Sequence, residues 1–332
     1  MIYIAALTLM LVVPVCGQGT VAGEVKNVET LYNKAQFADA VVKGTELLGK
    51  AGVSRNDSLH VIQWLARATA LNDQPDLSRD WLAALVKMDP NTNFKDENEG
   101  RKFRNVWFKF IQDTKYVPGE RQSMTTVAVV DFDNGSMQDA DKYKAAGIGI
   151  GSLIRYDLVE SGVVYCPSRD HINYLLDELK LSQTQMADQA SKLQVGKVVG
   201  AKNFIFGTFY NMPGNKFAID ARVIETETTL PKKQFRVEGK PGDVGKLVAD
   251  LTKQILAYFN VQADAIKKAG ANIPNVDLAA ITQWSQGAAY EEKGQLDLAQ
   301  KSYAAAIKIS PKFALAADRQ QRVEVDMKSN HE

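Results

Sequence analysis

The feature that most constrains this chain is a change of hydrophobic period. The pattern is helical from residue 25 to 113, strand-like at places within 126–262, and helical again from 280. A helix needs apolar residues three and four apart, whereas a strand with one covered face needs them at alternate positions. No single regular architecture satisfies both. The chain therefore reads as an α/β domain, a mixed sheet with helices, flanked by all-α segments. Its 332 residues are enough for two or three separate cores.

In "VETLYNKAQFADAVVKGTELLGK", Leu31, Ala35, Ala38, Val42 and Leu47 fall near the helical period, and "SLHVIQWLARATALNDQPDLSRDWLAALVKMDP" gives two helices around "NDQPD". Pro90 closes the second pair, because proline cannot continue a helix. Small residues on facing turns and a closing proline are the pattern of tetratricopeptide (TPR) helical hairpins. Residues 25–113 are thus expected to form a TPR-like helical domain that ends in one more amphipathic helix, with Phe103, Val106, Trp107 and Phe110 on one face. The Pro/Gly-containing stretch 114–125 reads as a linker.

The α/β domain is expected over 126–262. "TVAVVDF" suits a buried strand and "GVVYCP" a second one. "RDHINYLLDELK" and "SQTQMADQASKLQVGKVVGA" read as helices, "KNFIFGTFY", "KFAIDARVIETET" and "KKQFRVEG" as strands, and "DVGKLVADLTKQILAYF" as the last helix. Phe217, Ile219, Ala221 and Val223 alternate with Asp220 and Arg222, as a sheet covered on one face requires. A second linker, 263–279, leads to a TPR repeat at 280–313. There Gly287, Ala289, Tyr290, Gly294, Ala299, Tyr303, Ala306 and Pro311 hold the repeat's preferred offsets. One repeat cannot bury its own face, so it must dock on the α/β domain, the N-terminal helices or another chain. Residues 314–332 read as a C-terminal helix and a charged tail, with "EVDMKSNHE" solvated.

Candidate sites are few. In "KAAGIGIGSLIRYDLVESG" the glycines do not follow a strand directly, and Ser152 stands where a dinucleotide fingerprint needs its third glycine. On a helix, Gly147, Gly151, Ile154 and Leu158 form one stripe, so Gly147 and Gly151 are expected to bring that helix close to the sheet, while Gly149 points elsewhere and marks a frayed first turn. Asp131 and Asp133 bracket a strand end where carboxylates can hold a metal, but no second acidic cluster accompanies them, and loop solvation is the expectation. Cys166 in an apolar run reads as a buried structural thiol. The three histidines lack metal-ligand spacing, and nucleophile elbow, Walker A and kinase signatures are absent, so no catalytic, cofactor-binding or metal-binding residue is assigned.

Residues 1–17 read as a signal peptide, an uncharged apolar run too short for a membrane span. Two endings are open: cleavage after Gly17, or lipidation of Cys16, which "VPVC" offers as a lipobox-like site with valine where a small residue is usual. A net charge of +1 gives no global field to gather nucleic acid, and no nucleic-acid partner is expected.

The α/β segment resembles the CsgG-like family of curli assembly and transport components, whose relatives include FlgO, LpoB and the N-terminal domain of TolB. The resemblance covers 126–262, about 40% of the chain, and rests on "VAVVDF", "GIGIGSLIRYDLVESG", "VVYCPSRDHINYLLDELKLS" and "VGKVVGAKNFIFGTF", the last with Gly200, Ala201 and Gly207. It implies an envelope location, the periplasm or the inner face of the outer membrane, and assembly or regulatory work without catalysis or cofactor. It also implies protein partners, a possible homo-oligomer, and peripheral or lipid-tethered membrane association. The alternatives are a curli-type outer-membrane secretion channel subunit and a nucleotide-binding enzyme. "NFIFGTFY" and "KFAIDARVI" are joined by only "NMPGN", which leaves no room there for the long membrane hairpin that a channel needs.

Overall fold

Three helical hairpins built on one turn frame the molecule. The structure, a computed structural model, describes residues 20–94, 99–121, 124–179, 200–227, 231–268, 270 and 276–329. The first hairpin joins α1 (Val21–Asn33) to α2 (Phe37–Leu48), and the second joins α3 (Arg55–Leu71) to α4 (Pro75–Met88). Each turn has one residue in the left-handed region, Ala35 at φ 62° and Asp73 at φ 54°, followed by a glutamine that opens the next helix. The glutamine N–H donates back five residues, Gln36 to Leu31 O at 3.0 Å and Gln74 to Thr69 O at 2.8 Å, which satisfies a carbonyl that the helix end leaves open.

The break at Ala35 corrects the expected stripe. Ala38 and Val42 are exposed, and the buried line runs through Val28 and Tyr32 and then Phe37, Ala40, Gly44 and Leu47. At Gly44 the helices approach so closely that a Cβ would lie 2.7 Å from Leu65 Cδ2. Helix α5 (Arg101–Thr114) closes this part, with Phe103, Val106, Trp107 and Phe110 buried as expected and Phe108 buried on the other side.

The fold of the centre is mixed α/β. The strands are β1 (Thr125–Val129), β2 (Asp133–Asn134), β3 (Val164–Tyr165), β4 (Asn203–Met212), β5 (Lys216–Glu225) and β6 (Pro231–Gly239). The sheet order is β3-β1-β4-β5-β6; β3, β1 and β4 run parallel, and β4, β5 and β6 antiparallel. β2 continues the line of β1 along β4, pairing Asp133 with Thr208. Helices α6 (Ala146–Glu160) and α8 (Val244–Tyr258) cover one face, and α7 (Arg169–Glu178) covers Ala128, Val130 and Phe204 on the other. The helix expected over "SQTQMADQASKLQVGKVVGA" lies outside the described residues save for Gly200 and Ala201.

Between β1 and β2 the Phe132 N–H leaves the sheet and donates to Gly147 O at 3.2 Å, and the Phe132 ring lies on Gly207, where any Cβ would collide with it. Gly147 faces the Phe132 carbonyl inside van der Waals range of a Cβ, and a Cβ on Gly151 would lie 2.8 Å from Val130 O.

The expected second linker contains a short helix, α9 (Ala263–Lys268), before the third hairpin, α10 (Leu278–Glu292) and α11 (Leu296–Ile309). Its turn repeats the first two: Gly294 has φ 72°, and Gln295 N donates to Tyr290 O at 2.9 Å. Five, nine and twelve residues beyond the left-handed position stand Ala40, Gly44 and Leu47, then Ser78, Leu82 and Leu85, then Ala299, Tyr303 and Ala306, all buried. A Cβ at Gly287 would meet the Tyr303 ring at 2.6 Å, Ala289 and Tyr290 are half-buried, and Pro311 is exposed in the following turn.

Helix α12 (Ala314–Ser329) ends the described chain. The expectation of a solvated tail fails at Asp326, which is buried where residues 324–329 continue the helix, while Glu324 and Lys328 are exposed and residues 330–332 lie outside the described residues.

Candidate functional site

The third hairpin docks on the α/β domain through a glycine. Gly149 is inside α6, not at a frayed end; a Cβ there would lie 2.6 Å from Ile281 Cγ2, and its N–H donates to Ser285 Oγ at 2.9 Å. Alternate glycines therefore serve two neighbours: Gly147 and Gly151 face the strand backbone, and Gly149 faces α10. Trp284, fully buried, donates from Nε1 to Leu315 O at 3.0 Å and so ties α10 to α12.

Where α5, α7, α10 and α12 meet, the charged residues converge. Asp170, in the first turn of α7, receives Arg104 of α5 at 2.6 Å and Arg319 and Arg322 of α12 at 2.9 and 3.0 Å. Burial pulls the Asp170 pKa upward, but the charges of Arg104 and Arg322 outweigh it and hold the carboxyl well below its usual range. Glu291, near the end of α10, pairs with Arg322 and with Arg319 at 3.3 Å and accepts the Tyr303 hydroxyl at 2.7 Å. Asp326 of α12 accepts the Arg101 N–H at 2.7 Å at the start of α5. Four helices from distant parts of the sequence are thus joined by one buried ionic cluster.

Asp131 belongs to its margin. The loop-solvated expectation is overturned, because Asp131 takes a bidentate pair from Arg169 at 2.7 and 2.9 Å. Arg169 also pairs with Glu292, and Asn173 donates to Glu292 Oε1 at 2.6 Å. Asp133 is exposed. Among the described residues no three His, Cys, Asp or Glu side chains are placed to hold a metal ion. Cys166 is buried, and burial pushes its thiol up to about 12, which keeps it protonated and unreactive. Cys16 lies outside the described residues.

Above the cluster opens a cleft of about 470 Å³. Arg101, Arg104, Asn105 and Phe108 form one wall on α5, and Asp170, Asn173, Tyr174 and Asp177 form the other on α7, both at the i, i+3, i+4, i+7 spacing that puts residues on one helix face. The lining is polar and charged with aromatic flanks, and its charges are largely compensated by one another. Such a surface suits recognition of polar chain more than activation of a nucleophile. Among the described residues, no helix is long and apolar enough to cross a membrane.

Sequence patterns alone do not disclose this cluster. Their only foothold is the resemblance itself, since Asp131 and Arg169 both lie in the stretches that carry it.

No protein-family model and no curated protein matches the chain. Among solved structures, the C-terminal domain of LpoB from Salmonella enterica is similar at 12% identity, covering 40% of this chain and 94% of that one, with a TM-score of 0.28. A lipoprotein from Neisseria meningitidis is similar at 14% identity, with 40% and 96% covered and a TM-score of 0.32. The LpoB C-terminal domain from Escherichia coli is similar at 10% identity, with 40% and 94% covered and a TM-score of 0.27.

Proposed function

We propose that this chain is an exported, non-enzymatic protein of the cell envelope, in which a CsgG-like α/β domain is held between TPR-like hairpins and acts as an assembly or regulatory scaffold for a protein partner. The observation that carries it is the threefold use of one hairpin, with a left-handed residue at the same turn position and the same buried offsets, on both sides of the α/β domain. Repeated hairpins of this kind make grooves for extended or helical segments and carry no chemistry of their own. The charge-compensated cleft supports the same reading, because a general acid or base needs a group poised to exchange a proton during turnover.

Fractionation of the native host, with an antibody against the chain, is expected to place it in the envelope. Intact-mass measurement of the purified protein then separates cleavage after Gly17 from an acylated Cys16. A cytosolic chain that retains Met1 overturns the reading. So does a rise in melting temperature with magnesium and nucleotide, and conductance in planar bilayers would replace the scaffold with a channel subunit.

A further inference from the structure

Among the described residues the sheet ends in two edges of unequal reach. β3 has two residues, whereas β6 has nine and pairs on one side alone, with β5. Which of its backbone groups are open follows from the far side of the sheet. Val130 N–H donates to Ile205 O at 3.2 Å and Gly135 N–H to Phe209 O at 2.9 Å, so odd residues of β4 bond away from β5 and even ones toward it. The register carries this alternation on, and β6 bonds β5 through Lys233, Phe235 and Val237, opposite Val223, Ala221 and Ile219. Gln234, Arg236 and Glu238 therefore direct N–H and C=O off the sheet, and all three are exposed. Edge strands are usually guarded by proline, bulges and lysine. Here Pro231, Lys232, Lys233 and the register slip at Val223 and Ile224 lie together at one end, and the ladder from Lys233 to Gly239 is regular.

We propose that β6 is a docking edge for a second copy of this chain, the two β6 strands pairing antiparallel about a two-fold axis at Val237. Antiparallel partners must match open residue to open residue, which limits the register to shifts of two residues. With Val237 on the axis, Arg236 of each copy lies directly opposite Glu238 of the other. Gln234 then lies opposite Lys240, whose backbone is still extended at φ −114° and ψ 153°. Within one chain Arg236 already faces Asp220 across the β5 pairing, at 2.9 Å. Charges would thus alternate in one row over the joined sheets, from Asp220 to Arg236 to Glu238 of the second copy. Moving the axis to Arg236 sets arginine opposite arginine, and moving it to Phe235 draws the bulged end at Lys232 into the ladder. In such a closed contact the main-chain bonds supply affinity and the charges set the register. The pairing involves this chain alone and stands apart from the scaffold reading.

The test is sedimentation equilibrium of the full mature chain through the millimolar range, where a small interface gives a reversible monomer–dimer equilibrium. Glu238→Arg and Arg236→Glu should each weaken the dimer by at least about tenfold, because each sets like charges opposite one another at two symmetry-related places. An equimolar mixture of the two variants should recover the wild-type association to within about threefold, since opposite charges then face each other between unlike copies. Gln234→Pro removes an N–H that points off the sheet, leaves the β5 ladder its bonds, and should abolish the dimer. It keeps the test decisive if Arg236→Glu, beside Asp220, does not fold; circular dichroism reports folding of each variant. Register is read by oxidation: Gln234→Cys mixed with Lys240→Cys should cross-link, and Gln234→Cys mixed with Arg236→Cys should not. A chain that stays monomeric overturns the proposal and leaves the envelope reading untouched. A dimer that survives Gln234→Pro, a charge-variant mixture that stays apart, or the reverse cross-linking result also overturns it.

Discussion

His171 shows how one side chain couples this molecule to its surroundings. It stacks on Phe108 at 4.4 Å between ring centroids, and burial together with the Arg121 charge pushes its pKa down to about 4. A base with a depressed folded pKa contributes stability that is complete above its unfolded pKa of about 6.5 and is lost as pH falls through the folded value. Stability should therefore drop by about 3 kcal/mol between pH 6.5 and pH 4, at roughly 1.36 kcal/mol for each pH unit between the unfolded and folded values. Urea denaturation across that range measures it, and His171→Phe should flatten this part of the profile. Glu291 is the second residue on which much depends. Glu291→Gln leaves Arg319 and Arg322 short of a buried countercharge and should cost about 3–5 kcal/mol in the same assay. A loss below about 1 kcal/mol would mean that solvent reaches the cluster and screens it.

At the scale of elements, α6 is the helix that two layers share. Gly149→Ala should push α10 outward and destabilise by about 1–3 kcal/mol, the usual cost of overpacking, although alanine is the better helix former by roughly 0.5–1 kcal/mol. Chemical denaturation checks the sign; a stabilised variant would show that α10 is loosely seated. What can be read from the sequence follows the same logic. Helices and strands with a strong period are legible, because one buried face repeats in the chain itself. The turn at Gly294 is legible because glycine is the residue that adopts positive φ freely. The turn at Asp73 is marked by the "NDQPD" around it, whereas Ala35 adopts the same backbone with no such signal, so α1 and α2 read as one stripe. The ionic cluster is hidden because Arg104, Asp170, Glu291 and Arg322 each look like solvated surface, and only the meeting of four helices makes them interior.

For the whole molecule, α12 is the element that ties the parts together. It reaches Trp284 through Leu315, Asp170 and Glu291 through two arginines, α5 through Asp326, and the first hairpin through Val325 beside Tyr32, Ala35 and Phe37. A chain ending at residue 313 should keep its β4–β5–β6 sheet but lose protection along the N-terminal helices. Hydrogen exchange read by mass spectrometry reports both, and unchanged protection of α1 to α5 would refute a tying role for α12. Because synthesis runs from the N-terminal side, Asp170 and Glu291 are made before Arg319 and Arg322, two of the cations that neutralise them. A chain made from its N-terminal side therefore stays unlocked at this cluster until α12 has followed, and completion of that helix times the closing of the parts it joins.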